Sequence, residues 1–236
     1  MQSTERQKAR ELNKRLTILY DVLDHNIAAG MEQSGLKPSC GTECYGCCYL
    51  MVAITAVEGL AIADHLLKQQ DWREWMQKIR DASVSYIDMK MTREEHFRKG
   101  IPCVFLGADK KCSIYANRPS PCRYYFVVSD PKLCYPDAGT QKVGIVNTLE
   151  IEAHVWKFSA DTLGDFGKMS APLPIMVLFC AEMLVRGTPR HKIVKKLGRE
   201  LPDPFTWSRE NQAVMKNDPE ETQAIAEAVM KVGLQP

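Results

Sequence analysis

Eight of the nine cysteines fall into two dense groups, and no other feature limits so strongly what this 236-residue chain can fold into. The first group is Cys40-x3-Cys44-x2-Cys47-Cys48, and the second is Cys103-x8-Cys112-x9-Cys122-x11-Cys134. Small exported domains use cysteines as covalent staples in place of a core. A chain of this length, 45% hydrophobic and 25% charged, can bury a core without them. Residues 1–15 are polar and charged and hold no apolar stretch of the kind that directs export. The longest apolar run, residues 171–181, is broken by Pro172 and Pro174 and is too short to span a bilayer. A cytoplasmic location is therefore expected, where thiols stay reduced and free for a metal.

Thiolates are soft ligands, and all-sulfur tetrahedral sites select zinc or iron–sulfur clusters. The candidate metal ligands are Cys40, Cys44, Cys47, Cys48, Cys103, Cys112, Cys122 and Cys134. Spacings of two and three residues let one loop present several sulfurs to one centre. Gly41 and Gly46 allow its backbone to curl, so that N–H groups point at the sulfurs. Cys47 and Cys48 are neighbours, and neighbouring side chains diverge on a strand or a helix. Either the pair serves two centres or one of them is a packed thiol. Eight thiols suffice for two four-cysteine sites, or for one site with thiols to spare. Cys180 stands alone in the apolar stretch 175–185 and reads as a small buried hydrophobe.

Arg118 and Arg123 flank Cys122 and are candidate cofactor-binding residues. Each can offset the negative charge of a thiolate-ligated centre and donate hydrogen bonds to it. The alternative for Arg123 is an ordinary ion pair with a carboxylate, and Tyr115 reads as packing against the cysteine region. The five histidines, at 25, 65, 96, 154 and 191, lie outside the cysteine groups with no paired metal spacing. His154, among Ile151, Val155, Trp156 and Phe158, reads as a core or boundary imidazole. No G-x-S-x-G, phosphate-binding glycine loop or H-E-x-x-H occurs, and no catalytic residue is assigned.

The rest of the chain reads as helical. Leu12, Leu16, Leu19, Leu23 and Ile27 recur at helical spacing and predict a helix over about 5–29, stopped by Gly30. Thr55 with Glu58 forms a capping box for a helix to about 70, and Thr92 with Glu95 caps a short turn. A helix over about 71–91 is expected to bury Trp72, Trp75, Met76 and Ile79. Prolines 102, 119, 121, 131 and 136 break any helical period between 101 and 136, which predicts short strands and tight turns. A strand is expected over 141–147. Helices follow over about 148–160, 172–186, 188–200 and from 218 to about 233. The basic residues Arg186, Arg190, Lys192, Lys195, Lys196 and Arg199 carry no interleaved aromatics, so they read as a solvated face. The formal charge of +2 decides nothing about partners, but without those aromatics nucleic acid is not expected, and without a bilayer-length apolar run no membrane is.

The string Cys40-Gly-Thr-Glu-Cys44-Tyr-Gly-Cys47-Cys48, with Pro102-Cys103-Val-Phe-Leu, Cys112-Ser-Ile-Tyr115 and Arg118-Pro119-Ser-Pro-Cys122-Arg123, resembles the CxxCxxCC cysteine-cluster family. That family is a zinc- or iron-chelating domain similar to flagellin N-methylases. The likeness covers about residues 36–126. It departs in having x3 between the first two cysteines, and Cys134 lies beyond it. It implies one or two iron–sulfur clusters of the [4Fe-4S] type, or alternatively Zn2+, and in some relatives methyl transfer. It supplies no substrate; a peptide or protein is the substrate expected if the chain is a metal-dependent enzyme, and a zinc-stabilised interaction module is the alternative. The spacing of Cys40, Cys44 and Cys47 also matches the three-cysteine signature of radical S-adenosylmethionine enzymes, whose barrels need alternating strands and helices that this chain lacks.

The expected architecture is mainly α. One helical domain, residues 1–236, wraps around a cysteine-rich metal-binding knuckle with short strands. The cysteine region covers about 36–136, and a C-terminal helical part about 148–233.

Overall fold

The first long helix, α1 (Gln2–Ser34), buries Leu16, Tyr20 and Leu23 along one stripe, as the leucine spacing predicts. The computed structural model describes residues 2–41, 43–89, 92–138, 149–187 and Lys192. Helix α1 runs through Gly30 and stops one turn later. Gly35 takes φ +66°, and Leu36 N–H returns to the Met31 carbonyl at 3.0 Å. A glycine inside a helix costs only about 1 kcal/mol. Termination needs the left-handed turn that Gly35 supplies.

Two short strands organise the core. Strand β1 (Ala53–Thr55) pairs antiparallel with β2 (Ser170–Pro172), with Ile54 opposite Ala171. Each strand leads directly into a helix, β1 into α2 (Ala56–Leu66) and β2 into the last described helix, Leu173–Arg186. The pairing therefore fixes the starts of these two apolar helices side by side. They press together at Gly59, where a Cβ would lie 2.5 Å from Met176 Cγ and 3.0 Å from Cys180 Sγ. The capping box at Thr55 is formed, with Glu58 completing it.

Around this pair stand α1, α3 (Trp72–Met89) and a helix over Leu149–Leu163. Ile79 of α3 is fully buried, while Trp72, Trp75 and Met76 are half-buried. The short α4 (Arg93–Arg98) has the expected Thr92–Glu95 capping box. Next in chain order come α5 (Ser120–Arg123), α6 (Leu149–Leu163) and α7 (Leu173–Arg186). Among the described residues the fold is mainly α with one two-stranded sheet, in line with the expected class.

The strands are not where the sequence suggested. Between 101 and 136 the chain makes 3-10 turns, the four-residue α5 and one isolated bridge, Leu106 to Cys112. The strand over 141–147 and the helices beginning at 188 and 218 lie outside the described residues, as does most of the basic stretch. No helix among the described residues is long and apolar enough to cross a membrane.

Candidate metal centre

Cys47 and Cys48 of the first group sit on a 3-10 turn, Gly46–Tyr49, which the second group touches at two points. Cys103 N–H donates to the Cys48 carbonyl at 2.6 Å. Gly46 packs against Cys134 so closely that a Cβ would fall 2.6 Å from Cys134 Cβ. Any side chain at position 46 would push these segments apart. The preceding loop is pinned by Ser39 N–H to the Val127 carbonyl (2.7 Å), and Val127 N–H returns a bond to Cys40 Sγ (3.4 Å). The Tyr135 hydroxyl accepts from Tyr45 N–H at 3.4 Å and hydrogen-bonds the Cys44 thiol.

Cys103 and Cys112 lie on the two arms of a tight reversal. Gly107 N–H donates to the Lys111 carbonyl (2.8 Å), and Lys110 adopts φ 64° at the tip. The N–H two residues after each cysteine, on Phe105 and Ile114, points back at its sulfur. Such N–H groups stabilise the thiolate form and tune a metal centre. Cys122 is set by α5, which begins after Pro119. Glu58 anchors this short helix. Its buried carboxylate accepts from Ser120 N–H (2.6 Å), Tyr20 O–H (2.8 Å), Thr55 N–H (2.9 Å) and Thr55 O–H (2.8 Å).

Six thiols, those of Cys44, Cys47, Cys48, Cys103, Cys112 and Cys122, line one cavity of about 340 Å³. Leu50, Val52, Phe105 and Ile114 supply apolar wall, and Lys110, Lys111 and Arg118 supply positive charge. Among the described residues, no three His, Cys, Asp or Glu side chains are already gathered at the spacing of a single ion. The sulfurs instead surround an open volume. Softness and number fit zinc or an iron–sulfur cluster, and all nine cysteines are free of disulfides.

The electrostatics separate the thiols. Burial pushes Cys103 up to about 12 and Cys134 up to about 11, and it raises Cys122 well above the ordinary thiol range. Cys47 goes the other way, to about 7, because the Cys48 thiol donates to its sulfur and the Arg118 guanidinium faces it. The two adjacent side chains therefore meet, although neighbours on a strand or α-helix diverge.

Arg118 lies at the cavity wall, with its charge acting on Cys47, Cys112 and Cys122. It also stacks 3.8 Å from the Tyr115 ring centre, so that exposed ring packs on the arginine. Arg123 turns to α1 instead. Its Nε and Nη2 bond the two carboxylate oxygens of Asp24 at 3.1 and 2.7 Å, and it lies over Tyr20. Cys180 is buried against Ala56 between α2 and α7, away from the cavity. His154 is exposed rather than at the core boundary. His96, by contrast, is buried, and its Nδ1 lies 3.1 Å from the carbonyl of Tyr49, next to Cys48. Sequence reasoning passed over the anchoring role of Glu58, the Tyr135–Cys44 bond and the two lysines at the cavity. Only Glu58 left a trace, as half of a capping box.

Residues 39–146 match the model of the CxxCxxCC family, described as a putative zinc- or iron-chelating domain. Comparison with curated proteins and with solved structures gave no match. The matched segment takes in all eight clustered cysteines, including Cys134, which the recognised string had left outside. Over residues 39–146, a little under half of its length, the chain is therefore similar to the CxxCxxCC family, whose description is a zinc- or iron-chelating domain.

Proposed function

We propose that the cysteine-lined cavity holds an iron–sulfur cluster, with Arg118 offsetting the charge of its thiolates. The observation that carries this is the convergence of six thiols on a volume of about 340 Å³, far more than a single ion occupies. Backbone N–H groups of Phe105 and Ile114 are in place to hydrogen-bond two of the ligand sulfurs. When bound, such a cluster supplies one-electron transfer at a potential set by charge, hydrogen bonding and burial. The residues of the chain hold it, exclude water with Phe105, Ile114 and Val52, and keep its net charge low. A reducing, cytoplasmic setting suits thiols that must stay free. Protein isolated without oxygen should be brown and contain acid-labile sulfide. Colourless protein with stoichiometric zinc would replace this reading by a zinc-stabilised interaction module.

A second reading rests on the positive charge at the cavity from Lys110 and Lys111. An enzyme acting on a peptide or protein, such as a methyltransferase like flagellin N-methylase or an oxidoreductase, needs a cavity that admits substrate beside the metal. Turnover of a peptide with S-adenosylmethionine or dioxygen tests it. No turnover with a fully loaded protein leaves the carrier role.

A further inference from the structure

We infer that the eight thiols form two centres, one from Cys48, Cys103, Cys112 and Cys122 and the other from Cys40, Cys44, Cys47 and Cys134, on opposite sides of the Gly46–Tyr49 turn. This deepens the metal reading above and rests on it. The backbone makes the division. Cys48 is tied to Cys103 through its carbonyl, and Leu106, whose N–H donates to the Cys103 carbonyl, pairs with Cys112 in the isolated bridge. Gly46 instead abuts Cys134, and Cys40 is held by Val127 N–H from the segment that leads to Cys134. Cys48, Cys103, Cys112 and Cys122 all line the cavity, Cys44 and Cys47 border it as well, and Cys40 and Cys134 do not.

Mutual electrostatics follow the same line. The sulfur of Cys48 feels Cys103 and Cys112, and that of Cys122 feels Cys103 and Cys112. The sulfur of Cys134 feels Cys44 and Cys40. Cys47 acts on all four members of the first set and on Cys40 and Cys134 of the second, as expected for a residue on the turn that divides them. The surroundings differ as well. Arg118 acts on Cys112 and Cys122 of the first set and on Cys47 of the second, and the second alone is bordered by Tyr125 and by the Tyr135 hydroxyl on Cys44. Four soft ligands each is the number that closes a tetrahedral zinc site or a cubane cluster. The adjacent Cys47-Cys48 pair then serves as a divider, one sulfur to each side.

Native mass spectrometry of the anaerobically isolated full chain tests this, with metal and sulfide analysis. The wild type should carry two metal-bearing increments. Cys134→Ser and Cys112→Ser should each lose about half of the metal, and the double variant should lose all of it. Full metal content in Cys134→Ser, or a single increment in the wild type, would overturn the inference and leave the metal reading standing. Wild-type protein without metal would overturn both. Where far-UV circular dichroism shows that a variant has not folded, stepwise chelation of the wild type decides. Two separate losses support two centres, and one concerted loss contradicts them.

Discussion

Glu58→Gln should destabilise the protein and loosen the Cys122 turn, although Glu58 touches no cysteine. Its Oε1 takes the donors from Tyr20 and Ser120, and its Oε2 takes both donors from Thr55. A glutamine of the same shape has one carbonyl oxygen and one amide nitrogen, so it can serve only one of these pairs. The Tyr20 or Thr55 hydroxyl can rotate and accept from the new amide. The backbone N–H beside it, on Ser120 or Thr55, cannot. One buried N–H is therefore left without an acceptor in either orientation, at about 1–3 kcal/mol, and the remaining bonds lose their charge assistance. The expected loss is about 2–4 kcal/mol, read as the shift in urea unfolding of the metal-loaded protein. Tyr20→Phe removes one donor while leaving the carboxylate in place, and should cost about 1 kcal/mol. Because Ser120 lies two residues before Cys122, Glu58→Gln should also lower the metal retained after a fixed exposure to chelator. A loss below 0.5 kcal/mol (roughly the effect of an ordinary surface change), with unchanged metal retention, would refute the assignment of Glu58 as the anchor of the cysteine loop.

In metal-free, reduced protein at neutral pH, iodoacetamide should alkylate Cys47 ahead of Cys103, Cys122 and Cys180. Its pKa lies near 7, while burial holds theirs higher, and the thiolate is the reactive form. Metal loading should protect all of the clustered thiols, and peptide mapping reads both outcomes. Arg123→Ala should cost at most about 1 kcal/mol, since its Asp24 partner is half-exposed, and should leave metal content unchanged. Arg118→Ala should instead raise the Cys47 pKa, moving its alkylation profile to higher pH. Burial lowers the pKa of His96 from its usual 6.5, so the unfolded chain takes up that proton first as the pH falls. Its contribution is complete above about 6.5 and is lost as the pH drops toward the lower folded value. His96→Gln should flatten that part of the stability profile.

What the sequence disclosed was local. Thr55 with Glu58, and Thr92 with Glu95, close capping boxes within four residues, so the pattern and the structure coincide. The leucine stripe of α1 is equally local, but its end is not. Gly30 and Gly35 look alike in sequence, and only the left-handed turn at Gly35 separates them. The two strands escaped notice because three residues are too few to show alternation, and each finds its partner more than a hundred residues away. The cysteine groups pointed to a metal through their spacing, yet which thiols line the common cavity depends on the contacts that bring residues 44–48 against residues 103–122. Arg123 illustrates the same limit. Its place in the Cys-Arg string suggested the centre, while the fold gave it Asp24 on α1.

The central claim is that these thiolates are the metal's ligands, and X-ray absorption at the metal edge of the anaerobically isolated chain tests it most directly. The account predicts a first shell of sulfur alone, at about 2.3 Å for iron or zinc. For a cluster, a metal–metal shell should appear as well. A first shell dominated by nitrogen or oxygen would place the metal on other side chains and contradict the account.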